Sequence, residues 1–119
     1  IDFAIAQPEG YELTEDLTPG ATLVYNQEEA FKDADFIYVK NWSSYKDYGA
    51  ILPVEGEWMP TLPSLEITND AKVMHCLPVR RDLELGSDIL DSEKSLVVKE
   101  AGNRVWAAQV VIKRILENN

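Results

Sequence analysis

Short apolar runs recur along this chain, each followed by polar residues that turn the backbone or start a helix, and that alternation restricts it to one fold class. Residues 2–6, 22–25, 36–40 and 73–75 are strand-like, and a last strand is expected at 95–98. The run 36–40 is nearly continuous in apolar character, the pattern of a strand covered on both faces in a parallel sheet. Helical stretches lie between the runs. Asn26 is a good N-cap, and Glu28 and Glu29 place acid in the first turn, where the helix dipole favours it. Ser87 is expected to cap a short helix through Asp91. Residues 100–118 form the clearest helix: Val105, Ala108, Ile112, Ile115 and Leu116 share one face, while Arg104, Lys113 and Glu117 face outward. Strand and helix in alternation predict an α/β chain whose sheet is mainly parallel and flanked by helices.

Two stretches break the rhythm. Residues 11–20 are polar, with Thr14 and Asp16 suited to cap a helical turn that Pro19-Gly20 ends. Residues 41–63 carry Trp42, Tyr45, Tyr48 and Trp58 among glycines and prolines without a clean period. They read as a long aromatic loop with at most one helical turn, and long structured loops in compact domains usually serve function.

The chemistry is concentrated in Val73-Met74-His75-Cys76-Leu77-Pro78-Val79-Arg80-Arg81. This stretch sets the chain's only histidine beside its only cysteine, stops the strand with Leu-Pro and follows with two arginines. The end of a strand in an open α/β sheet is where ligands bind. Cys76 alone would read as a small buried apolar residue; His75, Arg80 and Arg81 beside it favour a thiolate. A protease-like Cys–His pair is disfavoured, because neighbouring strand residues point to opposite faces. Arg80 and Arg81 are either surface cations or a clamp for a carboxylate, a phosphate or a polarised carbonyl. Lys40 either reaches water or pairs with a carboxylate. One adjacent His and Cys give no metal-ligand spacing.

Composition narrows the partners. At 119 residues, with 45% hydrophobic and 27% charged residues, the chain fits one soluble globular domain. A net charge of −10 argues against nucleic acid. No apolar run is long enough for a membrane-crossing helix and no signal peptide is visible. A single cysteine excludes an internal disulfide and suits a reducing cytoplasm. The start at Ile1 is expected to mark a piece of something longer.

His75-Cys76-Leu77-Pro78 is similar to the signature tetrapeptide of ornithine carbamoyltransferases. The wider chain resembles the subgroup acting on N-acetylornithine or N-succinylornithine: at Pro8 to Leu13, at Ala34 to Trp42, at Met74 to Arg81, and at Glu100-Ala101-Gly102-Asn103-Arg104. Lys40-Asn41-Trp42 stands where ordinary ornithine enzymes resemble one another in a Ser-Met-Gly. The resemblance implies a Rossmann-like second domain, the amino-acid-binding part of a two-domain enzyme whose first domain binds carbamoyl phosphate. The Ser-x-Arg-Thr and His-Pro-x-Gln motifs of that first domain are not in this sequence. The second domain's central opening strand is also missing, so an incomplete sheet with apolar edges open to pairing is expected.

The same resemblance implies residue roles. Cys76 and the Leu77 carbonyl would orient the δ-amine of the substrate. Arg80 would meet the carbonyl oxygen of carbamoyl phosphate as charge builds there. Lys40 would pair with the α-carboxylate. His75 joins Cys76 and Arg80 as catalytic, and Trp42, Pro78 and Arg81 join Lys40 and Leu77 in binding substrate. A cis Leu77-Pro78 bond is expected, with no metal or organic cofactor, a cytoplasmic location and a trimer sharing its sites between subunits. Glu84 replaces a carboxylatable lysine found in acetylornithine enzymes, which favours succinylornithine. The alternative is a truncated, non-catalytic relative that acts as a binding or assembly module.

Overall fold

The computed structural model describes residues 1–118. Strand β1 (Ala4–Ala6) pairs in parallel with β2 (Thr22–Val24), and β3 (Phe36–Val39) pairs in parallel with β4 (Lys72–His75). No ladder joins the two pairs among the described residues, so the sheet is in two pieces, as the incomplete-sheet expectation requires. In the second pair Ile37 lies opposite Val73 and Val39 opposite His75. These four residues face inward and, with Phe31, Leu65, Leu85, Ile89 and Val97, surround the core.

The other face of β3 is bare. Phe36 and Tyr38 are 61% and 50% exposed, which corrects the expectation of a strand covered on both sides. A run of apolar residues can clothe two faces, but only one is packed here.

Helix α1 (Gln27–Phe31) starts as expected: the Asn26 side chain accepts a hydrogen bond from the Glu28 N–H at 2.9 Å. Its last residue, Phe31, enters the core. A 3-10 turn at Glu15–Leu17 stands where a helical turn was expected, though Thr14 makes no capping bond, and a second, Pro63–Leu65, closes the long loop. Before Leu62 the long loop has no helical segment; it is tied down by Tyr11, whose hydroxyl donates to the Leu52 carbonyl and accepts from the Leu52 N–H.

Helix α2 (Ser87–Leu90) departs from expectation at its start. Gly86 takes the cap position, and Ser87 is already helical, with both its N–H and its hydroxyl donating to the Asp82 carboxylate at 2.8 and 2.9 Å.

The strand expected at 95–98 is reduced to a single bridge between Ser95 and Val73. Leu96 donates its N–H to the Val73 carbonyl at 2.8 Å and then leaves the extended region, with φ −105° and ψ 8°. Helix α3 (Val97–Glu117) begins at once, three residues before the expected start, and of its residues only Val97 is buried. The apolar stripe through Val105, Ile112 and Leu116 exists, but it lies exposed.

Candidate functional site

Alternation along β4 sends His75 into the core and Cys76 to the opposite side. His75 is fully buried and Cys76 is partly exposed. The two do not meet, as their strand positions require. The imidazole Nδ1 accepts the Leu77 N–H at 3.0 Å, so the neutral ring carries its proton on Nε2, which lies 3.7 Å from Glu84 Oε2. Burial holds the His75 pKa below its usual value, with the Glu84 charge opposing. Leu77 sits at φ +54°, a region side chains disfavour, and the His75 bond helps to fix it there. The Leu77-Pro78 bond is cis, as expected.

Glu84 is the second anchor of this loop. It is 1% exposed and takes the Arg80 N–H at 2.8 Å and the Arg80 Nε at 2.7 Å, with Nη2 also in contact. Burial alone would push the carboxyl up; the Arg80 N–H and guanidinium outweigh it and hold the carboxyl below its usual range. The residue that the sequence marks only as a departure from relatives is therefore the buried carboxylate that organises the loop.

On the outward side, Lys40 Nζ lies 3.6 Å from Cys76 Sγ. Beside them the Tyr38 hydroxyl donates to Glu100 Oε1 at 2.8 Å. That carboxylate, then burial and the nearby thiol, push the Tyr38 pKa up to about 12, so the phenol keeps its proton. Glu100 Oε2 is buried without a hydrogen-bond partner among the described residues.

An open depression of about 800 Å³ adjoins this patch, lined by Leu77, Pro78 and Val79 on one wall and Ala101, Arg104, Val105 and Ala108 of α3 on the other. Among the described residues the Arg104 guanidinium has no partner. Nor does the Leu77 carbonyl. Arg80, in contrast, is engaged by Glu84. Arg81 forms a two-point pair with Asp91 at 2.8 and 2.7 Å and so ties the loop to the end of α2.

Trp42 is also engaged: its indole N–H donates to the Leu83 carbonyl at 3.1 Å, and its ring meets Tyr11 edge-on at 5.2 Å. Asn41 donates to the Pro78 carbonyl at 3.4 Å. Thus Cys76, Lys40, Leu77 and Pro78 come together, while Arg80, Arg81, Trp42 and His75 are held by other protein groups. Arg104 was missed as a site residue. Its signal was available: residues 101, 105 and 108 repeat at helical spacing around it, in a segment that carries the resemblance.

Comparison with known proteins gives one consistent answer. Residues 1–115 match the model of the aspartate/ornithine carbamoyltransferase family, Asp/Orn binding domain. An N-succinylornithine carbamoyltransferase of Bacteroides thetaiotaomicron is 46% identical over 98% of this chain, and the chain spans 37% of that relative's length. An ornithine carbamoyltransferase from Pyrococcus furiosus superposes with a TM-score of 0.78 at 28% identity, over 93% of this chain and 40% of that one. An N-acetyl-L-ornithine transcarbamylase shares the fold, with a TM-score of 0.72 at 21% identity over 87% of this chain and 37% of that one.

Proposed function

The chain belongs to the aspartate/ornithine carbamoyltransferase family, and from that premise we propose that it supplies the amino-acid-binding half of an N-acylornithine carbamoyltransferase. The reaction moves the carbamoyl group of carbamoyl phosphate onto the δ-amine, a step of arginine biosynthesis. The succinyl substrate is favoured, because relatives named N-succinylornithine carbamoyltransferase are 46% and 45% identical. The enzyme is expected to work as a trimer in the cytoplasm.

One observation carries the reading: a thiol beside an ammonium gathers around the Leu77-Pro78 bend with a carbonyl and a guanidinium that have no partner among the described residues. Each suits one part of the reaction. The Leu77 carbonyl accepts an N–H of the δ-amine and, with Cys76, turns its lone pair toward the carbonyl carbon. The new C–N bond forms, the C–O bond to phosphate breaks, and the proton lost by the amine leaves on the departing phosphate. Lys40 pairs with the substrate's α-carboxylate. Arg104 meets the negative charge that builds on the carbamoyl oxygen or leaves with phosphate, as a donor already in place. The resemblance implies that task for Arg80; its Nε and Nη2 serve Glu84, so its work is to set the loop. His75 positions Leu77 and touches no substrate.

The test is a graft. This chain replaces the matching 37% of the Bacteroides thetaiotaomicron relative, and carbamoyl transfer to N-succinylornithine, N-acetylornithine and ornithine is measured. Turnover with an N-acylated substrate above that with ornithine is expected. A folded graft without turnover contradicts the reading and favours a non-catalytic module. The chain alone should show no turnover; a citrulline derivative formed by it would contradict the half-site view.

A further inference from the structure

Three consecutive residues at the exit of β3 reach three successive points of the site loop. Lys40 approaches Cys76 at its start, Asn41 donates to the Pro78 carbonyl at its bend, and Trp42 donates to the Leu83 carbonyl at its far turn. We propose that Asn41 and Trp42 are positioning residues that hold the 76–83 loop so that the Cys76 thiol stays against the Lys40 ammonium.

The geometry favours a clamp over a chance set of contacts. An extended strand would send alternate side chains to opposite faces. β3 ends at Val39, so the backbone beyond it is free to turn all three side chains to one neighbour. Proline has no N–H, so Pro78 can be anchored through its backbone only by its carbonyl, and Asn41 takes it. The Trp42 ring packs on Tyr11, whose hydroxyl is fixed at Leu52. The indole thereby ties the site loop to the long aromatic loop. From the core side His75 and Glu84 hold the loop at Leu77 and Arg80. The clamp holds it from the outer side at other points. That the clamp serves carbamoyl transfer rests on the reading above; the clamp itself does not, and the two fail in different experiments.

Cys76 is the only thiol, so alkylation reports this site alone. The probe is the ratio of alkylation rates by iodoacetate and by iodoacetamide in the 119-residue chain, alongside its melting temperature. An ammonium held at the thiol draws the anionic reagent. Lys40→Met should lower the ratio by about two- to fivefold, the size of an exposed ion pair, and set the floor. Trp42→Phe keeps the ring on Tyr11 but loses the N–H donor, and Asn41→Leu loses the amide donor; each should move the ratio at least halfway to that floor. Asn41→Gln, which keeps an amide donor, should restore part of it. Should Trp42→Phe fail to fold, Asn41→Leu at its exposed bond still decides. Unchanged ratios in the folded variants, whatever the melting temperature does, overturn the clamp. So does a parent ratio equal to that of Lys40→Met.

Discussion

The loop after β4 and the helix after it differ in how they are held. The loop of residues 76–85 has little regular structure, yet Glu84 and Leu85 within it, and His75 at the end of β4, are at most 1% exposed. Its backbone is fixed by two buried side chains, one imidazole and one carboxylate. Helix α3 is the longest element, yet beyond Val97 none of its described residues is buried. Regularity and order are thus separate properties. A helix satisfies its own backbone and can stand with its apolar stripe uncovered, whereas an irregular loop must find partners for every buried polar group. The loop is therefore fixed by this chain's own residues, and the seam between loop and helix is where Arg104 lines the same depression as Leu77 and Pro78.

The sharpest way to break this contrast is to remove apolar volume from each side. Leu85→Ala, at a fully buried position, should cost about 2–5 kcal/mol in urea unfolding. Leu116→Ala, at a position 72% exposed, should stay within about 0.5 kcal/mol. Comparable losses would mean that the α3 stripe is covered in solution. At the seam, Arg104→Ala in the grafted enzyme should lower kcat about 10²–10³-fold, as when one transition-state donor is lost. Arg80→Ala should act chiefly through stability, and an unchanged kcat for Arg104→Ala would remove it from the chemistry.

Glu84→Gln should cost about 1–3 kcal/mol, because it leaves buried donors poorly matched. The same pair sets the response to acid. Unfolded, the imidazole takes a proton near the usual 6.5; folded, burial delays that protonation to lower pH. The unfolded state binds more protons in between, so stability should fall as pH drops below about 6.5. Glu84 adds a second loss below the usual 4.5, since its folded pKa is depressed and its stabilisation disappears as it protonates. Melting temperature against pH should show both limbs, and Glu84→Gln should flatten the lower one. The smallest effect is expected at Arg81→Ala, whose partner Asp91 is exposed: under about 1 kcal/mol.

Much of this was legible in the sequence. The alternation of strand and helix, the Asn26 cap, the opposite faces of His75 and Cys76, and the cis bend all follow from local rules or from the resemblance. What was not legible depends on neighbours. The run 36–40 carries the apolar residues of a doubly covered strand, but nothing in it says whether a second cover exists. Ser95 to Val98 is apolar enough for a strand and also opens a helix well; the choice falls after one bridge to Val73. Two adjacent arginines looked like a ligand clamp because their partners, Glu84 and Asp91, are acids that a charge count cannot pair. The guanidinium that has no partner among the described residues came instead from a helix face whose arginine read as solvent-directed.

Amide hydrogen exchange of the 119-residue chain measures most directly whether this half-site is preformed. The Leu77, Arg80 and Glu84 amides, bonded to His75, Glu84 and the Arg80 carbonyl, should exchange more slowly than those of residues 112–116 near the end of α3. Loop amides that exchange as fast as an unfolded chain, with the helix protected, would contradict the account.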